Sequence, residues 1–328
     1  MLRVLITGVA GMMGSHMLDR LMAEGAEVIG IDDLSAGKLS HINSHLTSPR
    51  FRFVQADVRD FEALSAAAGE RLDWILHFAA MKKCGESGDA LATLQVNGGG
   101  AESCLRLACR TGAAVLLAST ADVYGLSTEL PFRETGDLVL GVPGTKRWAY
   151  AASKLYAESL ALAYAKQENV RVVVLRYFGG FSHRSCFDWR GGHVPVFADQ
   201  ALRGEPFTIH GDGLQTRSAT SALNLVEGTW LAMRTPAVGE ILNIGGDEEI
   251  SVIDTARLIH RLAGKNGEPA FQFIPMANIF GEYREIPRRL PCLEKSARLL
   301  GYRPRYRLEE ALQSLLAERR REISLQPA

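Results

Sequence analysis

The feature that most restricts this chain is the run Thr7-Gly8-Val9-Ala10-Gly11-Met12-Met13-Gly14, which follows the apolar stretch Val4-Leu5-Ile6. Just downstream, Met17, Leu18, Leu21 and Met22 recur at helical spacing, so the glycines lie between a strand and an amphipathic helix. Those three elements in that order form a cradle for a dinucleotide. Gly8 permits the tight turn, Gly11 lets the backbone approach a pyrophosphate at the helix N-terminus, and Gly14 lets the helix pack close to the strand. The next apolar run, residues 28–31, ends in Asp32 and Asp33. That is near the distance expected for a carboxylate gripping an adenosine ribose. Such a carboxylate repels the extra phosphate of NADP, so the expected cofactor is NAD.

A length of 328 residues suits one large or two unequal domains with ample apolar material for a core. The formal net charge is zero, which gives no electrostatic case for nucleic acid or an anionic membrane as partner. The five cysteines, Cys84, Cys104, Cys109, Cys186 and Cys292, are scattered and lack zinc spacing, so free thiols and no metal site are expected. The sequence enters a core strand almost at once and holds no run able to span a bilayer, which predicts a cytoplasmic protein. Arg319-Arg320-Arg321 lies between Glu318 and Glu322 and reads as a solvated helix end.

Short apolar runs at residues 4–6, 28–31, 51–54, 74–76, 114–117 and 172–175 alternate with helical patterns. That alternation predicts an α/β fold, a Rossmann-type doubly wound parallel sheet covered by helices on both faces. Ligands of such sheets bind beyond the C-terminal ends of the strands. After about Arg176 glycine, proline and polar residues become denser, with helical stretches near 198–202, 224–233 and 253–262. Leu242-Asn243-Ile244-Gly245-Gly246 looks like one more strand with its turn. The reading is a dinucleotide-binding domain over 1–176 and a smaller, mainly substrate-binding region over 177–328, with later segments threading back.

Tyr150-Ala151-Ala152-Ser153-Lys154 carries the chemistry. Tyr150 and Lys154 stand four apart in a helical stretch running to about Lys166, so they share a face. An ammonium beside a phenol stabilises the phenolate and lowers its pKa from ~10 towards working pH, which makes Tyr150 a general base.

With these residues in place, the chain resembles the extended short-chain dehydrogenase/reductases of the nucleotide-sugar epimerase and dehydratase group, over nearly its whole length. Ala56-Asp57-Val58-Arg59-Asp60 is similar to the stretch whose aspartate and next residue border the adenine, which assigns Asp57 and Val58 to the cofactor. His77-Phe78-Ala79-Ala80-Met81-Lys82 resembles the segment lining the pyrophosphate and nicotinamide ribose, and Cys84-Gly85-Glu86-Ser87 continues a likeness to UDP-glucose 4-epimerases. The resemblance implies cofactor contacts from Met12, Met13, Phe78, Ala79, Ala80, Lys82, Asn97, Tyr150, Lys154 and Tyr177. It also implies a hydroxyl at Thr120 bridging the sugar 4-hydroxyl and Tyr150. Dehydratases of the group carry Asp-Glu after that threonine; here Ala121 can carry no proton, while Asp122 keeps a decarboxylase alternative open.

For the substrate, Arg217 matches a diphosphate-binding arginine, and the run Arg288-Arg289-Leu290-Pro291 lies where a second is expected, with the nearby Arg284 competing for the assignment. Arg184 aligns with an arginine that meets the carboxylate in some UDP-glucuronate epimerases. The chain departs from its group at Gly179, where an asparagine is usual, and along Arg217-Ser218-Ala219-Thr220-Ser221-Ala222-Leu223-Asn224, where Asp-Phe after the arginine and an aspartate near Leu223 are missing. Lys82, Thr120, Tyr150, Gly179, Arg184, Arg217, Arg284 and Arg288 are thus the expected substrate contacts. The leading expectation is C4 epimerisation of a UDP-linked hexose or hexuronate with NAD retained as a prosthetic group. A UDP-glucuronate decarboxylase or nucleotide-sugar 4,6-dehydratase is the alternative, and a silent NAD-binding regulator a remote one. The resemblance also implies a homodimer formed by the helices around Leu105 and residues 155–162.

Overall fold

The computed structural model describes residues 1–82, 89–281 and 284–325, without the side chains of Lys146 and Phe280. The Cys84–Ser87 run named above lies outside the described residues. Six strands of the expected sheet form where the apolar runs stand: β1 (Arg3–Thr7), β2 (Glu27–Asp32), β3 (Phe51–Gln55), β4 (Trp74–His77), β5 (Ala114–Thr120) and β6 (Val172–Tyr177). The strand Ile241–Ile244 pairs in parallel with β6 and completes a seven-stranded sheet. Its order is β3-β2-β1-β4-β5-β6 and then that strand, with every neighbour parallel.

Both faces of the sheet are covered, which is why its central strands carry continuous apolar runs rather than alternating, while the edge strand β3 exposes Arg52 and Gln55. Helix α1 (Met12–Ala23) covers one face. Its Met17, Leu18 and Leu21 join Leu225 and Trp230 of a later helix and Leu242 of the edge strand in one core. Helices α2 (Phe61–Ala68), α3 (Ala90–Thr111) and α4 (Lys146–Gln167) cover the other face, where Leu64, Leu105, Ala157 and Ala161 pack on Ile75 and Val174. The Leu105 side chain itself is therefore core. The exposed apolar residues of α3 and α4 are Leu91, Leu94, Tyr156 and Leu162.

The later part of the chain has its own apolar cluster, built from α5 (His193–Arg203), α7 (Val252–Leu262) and the terminal helix Leu308–Ser324. Between α5 and α7, α6 (Ala222–Arg234) returns to the main sheet through Leu225, Val226 and Trp230. Arg319 does not sit in solvent as expected. It pairs with Asp199 of α5 at 2.7 Å and lies over the Phe187 ring at 4.1 Å, so it fastens the terminal helix. Its long stem gives it apolar cover while its fork finds a carboxylate. Among the described residues no helix is long and apolar enough to cross a membrane.

Candidate active site

The glycine turn takes its shape from close contact. Gly8 has φ +71°, and a Cβ there would lie 2.7 Å from the Ala79 backbone nitrogen. At Gly14 a Cβ would lie 2.1 Å from the Gly8 oxygen, so only glycine brings α1 this near β1. Gly11 caps α1 with no side chain, and the first turn holds no acidic residue. Its N–H groups are therefore open to an anion. Asp32, at the end of β2, accepts from Ala10 N and Leu34 N, both at 2.9 Å, and fixes the turn against the strand. Burial pushes its carboxyl upward, and those N–H groups act against it. Asp33 is exposed and closes a turn on Ser35. This arrangement fits the phosphates and adenosine of a dinucleotide. Asp57, just past β3, is half-buried and held below the usual carboxylate range by Arg59. The Val58 side chain belongs to the core.

A cleft of about 390 Å³ opens beyond the C-terminal ends of β1, β4, β5 and β6, the position that fold geometry favours for a ligand. Met12, Met13, Phe78, Ala80, Lys82, Thr120, Tyr150, Lys154, Tyr177, Gly179 and Arg217 all line it. Gly8, Gly11, Asp32, Asp33, Asp57, Val58 and Ala79 do not. Apart from Ala79, which backs Gly8, they lie on the β1–β3 side, where the adenosine half of a dinucleotide would run. Lys154 is buried, and its Nζ donates to the Ala118 carbonyl at 2.9 Å. Burial lowers its pKa from 10.5 to about 8, with Glu158 pulling the other way.

Asn97 is not at the cleft. It is buried, accepts from Met81 N at 2.8 Å, and donates to Met81 O and the Ser153 hydroxyl. Its amide thus braces the segment after β4 against the helix that carries Tyr150. Arg184 is also elsewhere: it pairs with Asp19 of α1 at 2.8 Å. Of the arginines at 284, 288 and 289, Arg289 is the one that lines the cleft. The short strand Arg288–Arg289 pairs with Thr216–Ser218, with Arg289 beside Arg217. Neighbouring side chains on a strand point to opposite faces. Arg289 therefore enters the cleft, while Arg288 turns outward to Glu249. Arg284 is exposed and does not line the cleft.

At the sugar end, Asp122 closes the wall beside Thr120. Its carboxylate pairs with Arg147 at 2.9 Å and with Arg289. Burial opposes its ionisation, but Arg289, Arg147 and Lys82 outweigh burial and hold the carboxyl well below its usual range. The Thr120 hydroxyl is turned to the same group, accepting from Asp122 N and donating to Oδ2. Arg289 keeps Nε and Nη2 buried with no acceptor among the described residues. Two adjacent N–H groups in that state match an incoming carboxylate or phosphate.

The far end of the cleft was not anticipated from the sequence. Trp189 stacks on His210 at 3.5 Å between ring centres. His193 opens α5, and its Nε2 is buried without a partner among the described residues. Arg217 donates to Glu285 at 2.7 Å and to the Ile286 carbonyl at 2.9 Å. Gly179 has φ +56°, and a Cβ would lie 2.0 Å from the Ser218 oxygen, so the usual asparagine cannot stand there on this backbone. Asn224 occupies the buried anchor near Leu223. Its amide donates to Tyr306 O and accepts from Arg305 N and Tyr306 N, two kinds of bond that an aspartate could not make together.

Three comparisons bear on this geometry. A UDP-glucuronic acid decarboxylase from Xenopus tropicalis is 35% identical over 99% of this chain and 73% of its own length. A UDP-N-acetyl-alpha-D-glucosaminuronate decarboxylase from Bacillus cytotoxicus is 31% identical over 96% of each. A UDP-glucuronic acid 4-epimerase from Bacillus cereus, solved with UDP-glucuronic acid and NAD, superposes with a TM-score of 0.86 at 25% identity, covering 98% of this chain and 100% of that one. The sequence profile of the NAD dependent epimerase/dehydratase family matches residues 4–245, and the chain is a member of that family, an enzyme with NAD as its cofactor.

Proposed function

We propose that the protein oxidises a UDP-linked hexuronate at C4 and releases the C6 carboxylate as carbon dioxide. The observation that carries this reading is the Arg147–Asp122–Arg289 group beside Thr120, with two buried N–H groups of Arg289 still open. When bound, NAD supplies a reversible hydride acceptor beside the sugar. Tyr150, supported by Lys154, takes the proton of the 4-hydroxyl as the sugar is oxidised. The resulting 4-keto hexuronate carries its carboxylate β to the ketone. Breaking the C5–C6 bond leaves the electron pair as an enolate over C5, C4 and the ketone oxygen. A proton from water then enters at C5, and Tyr150 returns its proton to the oxygen when C4 is reduced. Arg217 and Arg289 supply cationic forks for the diphosphate and the carboxylate.

Asp122 also argues against dehydration. An elimination needs a neutral acid near the leaving hydroxyl, Ala121 has no proton to give, and Asp122 is held ionised by its arginines. C4 epimerisation of the same substrate is the second reading, favoured by the likeness to the Bacillus cereus enzyme. It shares the oxidation and differs in the fate of the keto sugar. A homodimer through the exposed Leu91, Leu94, Tyr156 and Leu162 of α3 and α4 belongs to the same reading.

The test compares UDP-glucuronate with UDP-glucose, followed by NMR. Turnover of the first alone, lost in Arg289→Gln, supports an anionic sugar. Equal turnover of both, unaffected by that change, rejects the assignment of Arg289 and the hexuronate with it.

A further inference from the structure

Behind Lys154 lies a buried polar network that the proton transfer above does not use. Tyr150, Lys154 and Glu158 follow at four-residue intervals on α4 and share one face. Glu158 is 2% exposed. Its carboxylate accepts from the Ser119 hydroxyl, and from Arg176 through Nε at 3.0 Å and Nη2 at 2.7 Å. Ser119 and Arg176 are register partners on β5 and β6, so one carboxylate pins the helix across two strands.

These anchor points adjoin the cleft. Ser119 follows Ala118, whose carbonyl holds the Lys154 ammonium, and precedes Thr120. Arg176 precedes Tyr177 of the cleft wall. On its far side the Tyr124 ring lies 4.8 Å from the Arg176 guanidinium, and the Tyr124 hydroxyl donates to Asn243 at 2.7 Å.

A buried ion pair is seldom a net source of stability, because both charges lose their water. Its position suggests another use. The groups around Lys154 are Tyr150 and Glu158 on its own helix, Arg176 on β6, and His77 at the end of β4. His77 is kept neutral chiefly by burial and then by the lysine itself. Of these, Glu158 is the group that favours the charged lysine against its burial.

We propose that Glu158 is a positioning residue for the proton transfer: fixed by Ser119 and Arg176, it keeps the Lys154 ammonium charged and seated at the end of β5. The proposal rests on the reading of Tyr150 and Lys154 as the proton-transfer pair. Without the Glu158 charge the Lys154 ammonium gives up its proton more readily, so the phenolate of Tyr150 loses its counter-charge and forms only at higher pH. A merely structural role would lower activity without moving that titration.

The experiment is an ultraviolet titration of the NAD-bound protein, with Tyr150→Phe subtracted to isolate the phenolate of Tyr150. In Glu158→Gln the phenolate should appear at least about one pH unit higher than in the wild type, and kcat at neutral pH should fall at least ~10-fold with KM little changed. Glu158→Asp, which keeps the charge, should move back towards the wild type. Glu158→Gln leaves Arg176 without its partner, so the double variant Glu158→Gln/Arg176→Met, which removes both charges together, is measured beside it and should shift in the same direction by less, because the Arg176 charge that opposes the Lys154 ammonium is gone too. An unmoved phenolate in either folded variant overturns the proposal, as does a wild type with no phenolate from Tyr150 below the range of ordinary tyrosines. This readout needs no turnover, so failure to convert a UDP-hexuronate counts against the proposed function and not against this role.

Discussion

Replacing Lys154 by methionine should stabilise the protein at neutral pH while abolishing turnover. The amine's pKa falls from 10.5 free to about 8 in the fold because burial penalises the charge. The native state thus bears a cost of about 3 kcal/mol at pH 7 that the unfolded chain does not. Methionine has nearly the same length and no charge, so it removes that cost. It also leaves the Ala118 carbonyl without its donor, worth about 1 kcal/mol, for a net gain of about 2 kcal/mol. The sign with pH follows from which state holds more protons. Between about 8 and 10.5 the unfolded lysine is protonated and the native one is not, so wild-type stability rises across that window relative to the variant. The advantage of Lys154→Met should shrink by about 3 kcal/mol and end as a slight deficit. Urea unfolding of both proteins after NAD removal, at several pH values from 7 to about 10.5, measures this directly. A difference that stays constant with pH refutes the argument, because it would mean the buried lysine carries no depressed pKa.

Gly179→Ala should cost at least about 2 kcal/mol, from a left-handed residue whose Cβ meets the Ser218 oxygen. A lower Tm with weaker substrate binding checks it, and an unchanged Tm would show that the loop yields freely. Asn224→Asp should cost about 2 kcal/mol through loss of its donor to Tyr306 O. The cost should grow as pH rises and the buried carboxyl ionises, which thermal unfolding at pH 5 and pH 8 would reveal. Asp122→Asn breaks the charge balance with Arg147 and Arg289. Turnover should fall at least ~10²-fold for decarboxylation, because Arg289 is no longer held in place against the substrate carboxylate, whereas an epimerase would lose little.

The sheet was legible in the sequence because its central strands are buried on both faces and read as short apolar runs, and all six predicted runs form strands. The glycine turn and the Tyr150–Lys154 spacing were legible because both are local. What the sequence did not show was non-local. Arg288 and Arg289 are adjacent in sequence, and only pairing with Thr216–Ser218 decides which enters the cleft. Arg184 was drawn away by Asp19, and Asn97 by the Met81 backbone, partners that no spacing reveals. The Trp189–His210 stack joins a loop to a strand end, and nothing in either segment announces it. Leu105 lies on an apolar helix face that suits a partner or a core equally well, and the fold assigned it to the core.

The most direct test of the central claim is the fate of a carbon label at C6 of UDP-glucuronate, followed by ¹³C NMR with NAD bound and no other oxidant. The account predicts labelled carbon dioxide and bicarbonate, a UDP-pentose as the sugar product, and no net NADH. Label retained in UDP-galacturonate would contradict it and assign the protein to the epimerases of its family.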